Sequence, residues 1–452
     1  MEIADREISR ATIIGFGLSG RAVTEFFIDH GVDVYVSEID ELAAVDKEFL
    51  AHHGIPYEEQ GHTSCSLTGS DLVVISPGVA PTTPLLAVAD KEGIPITTEM
   101  ELAFLLALPS YLIAVAGTNG KSTTVSLIGE ILRHFGKRTL VAGNIGIPFI
   151  SKVDSLTAEE IVVLEVSSFQ LEQMKAFRSP VALLLNITPD HLDRHHTWER
   201  YVETETRIFM NQQESDVAIL PENLNHLCPH LCSHKVFFDH FQLPDLPWLK
   251  KLYPHERMNL LAASAAVHAL LSDCDFSSLP WKKIESALSL LFRLQYAGMV
   301  NQAMIYNDSK STTAASTAAA IASFSAPIIL LMGGRHKGGG YEALARQIVA
   351  AQIKGVILYG EAAPFLDGIL RQTGYTAIQR ADDLAQALHL GLTHADCGDI
   401  LLFSPACASY DHYCNYEERG QAFNDLLRRQ QNYSPATRTR PKRCSNSHYR
   451  GS

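Results

Sequence analysis

The stretch LIAVAGTNGKSTT, Leu112–Thr124, decides how the chain reads. An apolar run from Leu112 to Ala116 enters a turn with Gly117 and Gly120, and Lys121, Ser122, Thr123 and Thr124 then open an amphipathic segment. That order predicts a buried strand, a tight loop and a helix N-terminus. Backbone N–H groups without intrahelical partners converge there, and the helix dipole adds positive potential. Lys121 supplies a cation for β- and γ-phosphate oxygens, and the Ser122 hydroxyl suits Mg2+. The first glycine of the usual phosphate-loop pattern is replaced by Val115. A glycine turn with a solvated lysine is the plain alternative, and a G-K-S-T-T run directly behind an apolar strand weighs against it. Gly117, Thr118, Asn119, Gly120, Lys121, Ser122 and Thr123 are therefore read as an ATP-phosphate site.

Working outward, 452 residues exceed one ordinary core, so two or three domains are expected. A composition of 46% hydrophobic and 19% charged residues is ordinary for a globular protein. The net charge of -13 argues against bulk nucleic-acid binding. The longest uncharged stretch, Leu102 to Gly120, is broken by Pro109-Ser110 and reads as a helix end before the phosphate-loop strand, not a membrane span. The opening MEIADRE has no secretory pattern, and eight cysteines without a CxxC pair suit a reducing cytoplasm. The tail beyond residue 430 ends in Thr437–Ser452, with Arg438, Arg440, Lys442, Arg443 and Arg450 and no acid. It reads as a solvated, disordered extension.

Residues 11–38 read as strand, loop, helix and strand, with Gly15, Gly17 and Gly20 in a dinucleotide-type turn and Glu38 placed for a ribose or base. Alone this signal is weak. Strand Asp71–Ile75 leads into Ser76-Pro77-Gly78, and Ile94–Thr98 reads as a further strand, so a first domain is placed at 1–108. In a second domain, 109–293, strand Thr139–Ala142 precedes Gly143-Asn144-Ile145-Gly146. Strand Ile161–Val166 ends in Glu165, a charge that is expensive inside an apolar run unless a partner such as a metal ion meets it. Strand Val181–Ile187 delivers Thr188-Pro189-Asp190-His191-Leu192-Asp193, where His191 suits a metal or a phosphate. In HLCPHLCSHKVFFDH, 226–240, histidines and cysteines alternate. Zinc is the sharper reading, but the spacing fits no usual zinc pattern and Pro229 interrupts, so a polar-faced surface segment is preferred. A helix starting near His255 and Asn259 offers both residues to a base or to solvent.

A third domain, 294–430, repeats the logic. Strand Met304–Tyr306 runs into Asn307-Asp308-Ser309-Lys310-Ser311-Thr312-Thr313, and Ile328–Met332 into the cationic glycine loop 333–340 with Lys337. Strands Lys354–Tyr359 and Ile400–Phe403 follow, the last ending in Ser404–Ser409, where Cys407 is expected to pack. The fold class expected is α/β in three domains: a Rossmann-like N-terminal unit, a central P-loop-type ATPase with a parallel-rich sheet, and a C-terminal Rossmann-like unit.

These residues together resemble the Mur ligase family of peptidoglycan synthesis. The resemblance is carried by Gly117–Ser122, Gly143–Gly146, Thr188–Asp193 and Asn307–Lys310, and it covers about residues 8–428. Glu165–Leu171 and Ser404–Ser409, followed by Asp411, Asn415, Tyr416, Glu417, Arg419, Gly420 and Phe423, are similar to the branch that adds D-glutamate. The resemblance implies ATP-dependent addition of D-glutamate to UDP-MurNAc-L-alanine through an acyl phosphate, by a cytoplasmic monomer with Mg2+ and neither nucleic acid nor a membrane span. It implies that Gly15, Gly17, Ser19, Glu38 and Ser76 hold the UDP part, and that Asn144, Ser167 and Gln170 touch the substrate. Asn259 and Asp308 would touch adenosine. Ser122, Glu165 and His191 would serve metal. Lys310, Thr312, Lys337, Ser409 and Tyr416 would surround D-glutamate, with Lys121, His191, Glu205 and Lys337 closest to the chemistry.

Three departures stand out. Where the family has a carbamylated lysine, four residues after Tyr201, this chain has Glu205, expected to act through a water or a metal. A histidine–arginine pair expected after Phe292-Arg293-Leu294 is replaced by Tyr296-Ala297, and Glu256 replaces the first asparagine of a His-Asn-x-x-Asn motif. Three other readings stay open. A folylpolyglutamate synthetase-like ligase leaves the first 108 residues unexplained, and a nicotinamide dehydrogenase leaves the phosphate loop unexplained. A UDP-sugar-binding homologue without turnover is motivated by Glu205 and Ala297.

Overall fold

The structure, a computed structural model, describes residues 1–107, 111–144, 146–252, 254–288, 292–337, 339–351 and 353–433. A short antiparallel hairpin, β1 (Glu2–Ile3) with β2 (Arg6–Glu7), opens the chain. A parallel sheet follows, built from β3 (Arg10–Ile14), β4 (Asp33–Ser37), β5 (Tyr57–Glu58), β6 (Leu72–Ile75) and β7 (Ile96–Thr98). Its order is β5-β4-β3-β6-β7, so the chain reverses direction across the sheet beside β3. In open α/β sheets ligands sit at that switch.

The second sheet holds β8 (Tyr111–Ala116), β9 (Thr139–Gly143), β10 (Ile161–Glu165), β11 (Val181–Leu184), β12 (Val217–Leu220) and β13 (His234–Phe237). All its pairings are parallel, in the order β13-β12-β11-β8-β10-β9, and the reversal falls beside β8. Leu112–Ala116 are buried throughout, as apolar strands covered on both faces must be. The predicted strand Val181–Ile187 ends at Leu184, because the next residues turn to the phosphate loop: Thr118 N–H donates to the Asn186 carbonyl at 2.9 Å.

The third sheet holds β14 (Gln295–Val300), β15 (Ala303–Asn307), β16 (Ile328–Gly333), β17 (Gly355–Tyr359), β18 (Ile378–Arg380) and β19 (Ile400–Ala406). Its order is β14-β15-β19-β16-β17-β18, with only β14 antiparallel to its neighbour among the described strands. The expected α/β architecture with three sheets is present.

The histidine–cysteine segment lies at the surface as preferred, with His226, His230, Cys232 and His234 exposed, but it is not one strand. A 3-10 turn, Glu222–Leu227, ends before Cys228, and β13 starts only at His234, so these residues share no strand face. Cys228 is buried, and the Cys232 thiol lies 2.9 Å from the Gln212 carbonyl oxygen. The basic tail, Pro109-Ser110, Ile145 and Gly338 lie outside the described residues.

Two compact units emerge. One contains Met1–Ile187, Val202–Pro244 and Met258–Pro280; the other contains Thr188–Tyr201, Asp245–Arg257 and the chain from Trp281 onward. In the first unit one apolar core runs from Ile13 of the first sheet and Phe27 of the helix Leu18–Asp29 to Leu164 and Leu184 of the second sheet, and a smaller cluster gathers Ile14, Val73 and Leu85. Buried carboxylates stitch that seam. Glu101 accepts from the N–H groups of Lys175, Ala176 and Phe177, and Glu99 from that of Ile150.

Candidate active site

In the first unit β8 runs into a loop whose shape demands glycine at two places. Gly117 has φ +124°, and a Cβ there would lie 2.9 Å from the Asn186 carbonyl oxygen. Gly120 caps the helix Lys121–His134 in the left-handed region at φ +90°, with its missing Cβ 2.5 Å from Asn259 Oδ1. The loop is held by its neighbours. Gly117 N–H donates to Glu205 Oε2 at 2.9 Å. Asn119 N–H donates to Asn186 Oδ1 at 2.9 Å, and Asn186 Nδ2 returns a bond to the Asn119 carbonyl at 2.8 Å. Lys121 Nζ lies over the same loop, 2.5 Å from the Gly117 carbonyl and 3.1 Å from that of Thr118. Ser122 and Thr123 occupy the first helical turn, whose N–H groups have no intrahelical acceptor. Among the described residues the buried Thr123 hydroxyl meets no partner.

Glu165 closes β10, in register with Val115 on one side and Gly143 on the other. It is 4% exposed. Its Oε1 accepts from Asn144 Nδ2 at 3.0 Å, whereas Oε2 is buried and finds no hydrogen-bond partner among the described residues. A buried carboxylate oxygen in that state is costly, and a cation removes the cost. Among the described residues no three His, Cys, Asp or Glu side chains gather into a metal cage. A lone buried carboxylate oxygen is the kind of donor that Mg2+ takes when phosphate and water complete its shell.

Other expected residues of this unit already have internal bonds. Glu38 accepts from the N–H groups of Phe16 (2.6 Å), Ile39 (2.7 Å) and Asp40 (3.2 Å), tying the glycine turn to the end of β4. Ser76 Oγ donates to the Gly15 carbonyl at 2.7 Å. Gly17 and Ser19 sit at the start of the helix Leu18–Asp29, beside the largely exposed Leu18. Ser167 and Gln170 form a reciprocal cap on the helix Ser168–Leu171, so their polar groups are spent on each other. Asn259 is buried against Gly120, and Glu205 is 1% exposed.

In the second unit, His191 stands in the left-handed region at φ 52° as the cap of the short helix Leu192–His195, with Nε2 3.5 Å from Asp190 Oδ2. Lys337 Nζ lies 4.0 Å from Asp190 Oδ1 and 3.4 Å from Thr312 Oγ1. Lys310 Nζ stands 5.2 Å above the Tyr416 ring, a cation–π contact. Arg335 and Ala408 exchange backbone hydrogen bonds at 2.9 Å, which draws the loop after β16 toward the buried Ser409. The structure thus brings Lys310, Thr312, Lys337, Ser409 and Tyr416 to one edge of the third sheet. Cys407 packs as expected: burial pushes its thiol up to about 11.

Asp308 is turned inward. Its carboxylate accepts from Ser404 Oγ at 2.7 Å and from Leu294 N–H at 3.1 Å, so the expected nucleotide contact is not offered by these oxygens as they stand. Burial raises its pKa to about 6 against the opposing pull of Ser311, Ser404 and Arg293. Burial pulls the pKa of Arg293 down, against the opposing charges of Asp308 and Glu256. Burial, with Arg293 nearby, also pushes His255 down to about 4, the neutral side of its ordinary range. Sequence reasoning named Arg293 and the fully buried Arg419 only as parts of the family resemblance, with no role for either, and did not single out Asn186. Asn186 had a signal, a polar residue closing an apolar run as Glu165 does.

Comparison with known proteins follows the same three-part division. Residues 10–85 match the MurD N-terminal domain, 115–236 the Mur ligase middle domain, and 292–407 the Mur ligase glutamate ligase domain. The chain is 37% identical to the UDP-N-acetylmuramoylalanine--D-glutamate ligase of Koribacter versatilis over 446 residues, 93% of this chain and 97% of that one. It is 35% identical to the enzyme of the same name from Desulfitobacterium hafniense, with the same coverage. The solved UDP-N-acetylmuramate-alanine ligase MurC of Thermotoga maritima shares the fold at a TM-score of 0.54 and 18% identity, covering 95% of this chain and all of that one.

Proposed function

The chain belongs to the Mur ligase family, within its UDP-N-acetylmuramoylalanine--D-glutamate ligase branch, and from that premise we propose how its residues share the reaction. It is an ATP-dependent, amide-bond-forming ligase of peptidoglycan synthesis. The substrates assigned are UDP-MurNAc-L-alanine, ATP and D-glutamate, handled respectively by residues 1–108, 109–293 and 294–430, in the cytoplasm. Among the described residues no helix is long and apolar enough to cross a membrane.

A free carboxylate is a poor acyl donor. Its oxygen attacks the γ-phosphorus of ATP and ADP leaves; the D-glutamate nitrogen then attacks the acyl carbon, phosphate leaves, and the nitrogen gives up a proton. Such chemistry rests on positioning and charge neutralisation. Lys121 leaves the loop carbonyls to meet β- and γ-phosphate oxygens, and the first-turn N–H groups meet the rest. Mg2+ held by Glu165 Oε2 and Ser122 would offset the phosphate charge. Asn144, bonded to Glu165, turns toward the acyl donor. His191 serves the acyl phosphate or a second metal, oriented by Asp190. Lys337 and Lys310 receive the carboxylates of D-glutamate, with Thr312, Ser409 and Tyr416 around them. Gly15, Gly17, Ser19 and Ser76 line the UDP end, and Glu38 holds that turn in shape. Asn259 meets the nucleoside, while Asp308 acts by fixing its own loop and Arg293.

The observation that carries this reading is the buried, partnerless Glu165 Oε2 in the unit that also holds a lysine-bearing phosphate loop. The test is phosphate release from ATP with UDP-MurNAc-L-alanine, comparing D-glutamate, L-glutamate, D-aspartate and no amino acid. Release that requires D-glutamate, with a product heavier by one glutamyl residue, supports it. UDP-sugar binding without release would overturn it in favour of a homologue without turnover.

A further inference from the structure

Arg419 is 0% exposed and stands among the largest fully buried side chains of the protein. Its guanidinium makes three hydrogen bonds: Nε to Ser309 Oγ at 3.1 Å, one Nη to the Ser309 carbonyl at 2.9 Å, and the other Nη to the Cys407 carbonyl at 3.0 Å. None of these acceptors is a carboxylate, and no ion pair of Arg419 is found among the described residues. The same Nη lies 3.0 Å from where a Cβ on Gly334 would be, so only glycine lets the third loop approach. One side chain therefore braces the loops that follow β15, β16 and β19.

The helix that carries it, Tyr416–Tyr433, reinforces the brace with its neighbouring turns. Ser309 Oγ donates to the Tyr416 carbonyl at 2.9 Å, and Asn307 Nδ2 donates to the Gly420 carbonyl at 2.8 Å and to Asn424 Oδ1 at 2.9 Å. Tyr416 lies under Lys310, one residue beyond Ser309. Cys407 is two residues before Ser409, and Gly334 three before Lys337. Each loop fixed by Arg419 thus carries one of the polar groups gathered at this edge.

A guanidinium buried with no ion pair among the described residues is an expensive way to hold loops, since an apolar residue could fill the volume. Its fork geometry gives what an apolar side chain cannot, fixed directions to several carbonyl and hydroxyl acceptors at once. The charge adds to those of Lys310 and Lys337 at an edge suited to an anion. We infer that Arg419 is a positioning residue that sets the spacing of Lys310, Lys337 and Ser409 for a dicarboxylate amino acid. This rests on the reading that D-glutamate binds at this edge.

The experiment compares the full-length protein with Arg419→Met, Arg419→Ala, Arg419→Lys and Lys337→Ala in steady-state kinetics and thermal unfolding. Arg419→Met should raise the KM for D-glutamate about tenfold or more, with the KM values for ATP and UDP-MurNAc-L-alanine changed less than about twofold. Arg419→Lys, which keeps the charge but only part of the fork, should fall between. Millimolar guanidinium should restore part of the D-glutamate affinity to Arg419→Ala, an effect that general stabilisation would not give. An unchanged KM for D-glutamate in both Arg419→Met and Arg419→Lys, or an equal rise for all three substrates, overturns the inference. If Arg419→Met does not fold, the lysine variant and guanidinium rescue still decide. Should Lys337→Ala also leave the D-glutamate KM unmoved, the failure lies with the assignment of this edge, not with Arg419.

Discussion

Glu205 Oε2 accepts a hydrogen bond from the Gly117 N–H at 2.9 Å, 88 residues away in sequence. A buried carboxylate thus grips the first residue of the phosphate loop, where the family has a carbamylated lysine. The lysine needs CO2 to carry a negative end; glutamate carries one already. Activity should therefore not depend on added bicarbonate. Glu205→Ala should raise the KM for ATP about tenfold, because a hydrogen bond to a charged group is worth roughly 1.5–3 kcal/mol. Glu205→Gln, which keeps an acceptor oxygen, should lose much less. A strong bicarbonate requirement, or an alanine variant with unaltered ATP kinetics, would refute the tether.

Lys121 is the cation nearest the loop carbonyls. Lys121→Ala should abolish phosphate release while leaving UDP-sugar binding, measured by calorimetry, nearly unchanged. Loss of both would mean misfolding or a misplaced site.

Glu165→Gln tests the orphan oxygen. The amide can still accept from Asn144 but offers a cation only a neutral group. Mg2+-dependent binding of ADP, followed by calorimetry, should weaken about tenfold or more, with little change in the magnesium-free background. Equal binding with and without Mg2+ in the parent protein would remove Glu165 from the metal site.

Glu99 predicts a pH dependence. Burial raises its pKa to about 7, against the backbone N–H groups of Ile150 and Phe149 that favour the anion. The folded protein then holds a proton that the unfolded chain releases near its ordinary 4.5. Stability from this group is complete below pH 4.5 and is lost as pH rises through about 7. Glu99→Gln cannot ionise, so its stability relative to the parent should grow between pH 5 and pH 8, by up to about 3 kcal/mol. Thermal unfolding at the two pH values decides; an equal difference at both would refute it.

How much of this was legible in the sequence differs from residue to residue. The strand, loop and helix around Gly117–Ser122 were readable because apolar runs, glycines and a following amphipathic segment are local signals. Glu165 was readable because a charge closing a buried strand has few bland explanations. Asn186 carried the same signal more weakly and was absorbed into the strand. The inward turn of Asp308 and the mutual cap of Ser167 with Gln170 were not visible, since each depends on which donors arrive from elsewhere. That the guanidinium of Arg419 turns inward was not visible either, because residue spacing does not say which side chain is buried.

By itself the sequence determined the order of strands and helices, the loops that carry glycine and lysine, and the family. Those follow from short-range periodicity and backbone preference, which act over a few residues. Only the tertiary structure decided that Glu205 reaches Gly117, that Asp308 turns to Ser404, and that Arg419 reaches Ser309. Such contacts join residues 88, 96 and 110 positions apart. Their partners are chosen by which buried polar groups must be satisfied once the sheets have packed.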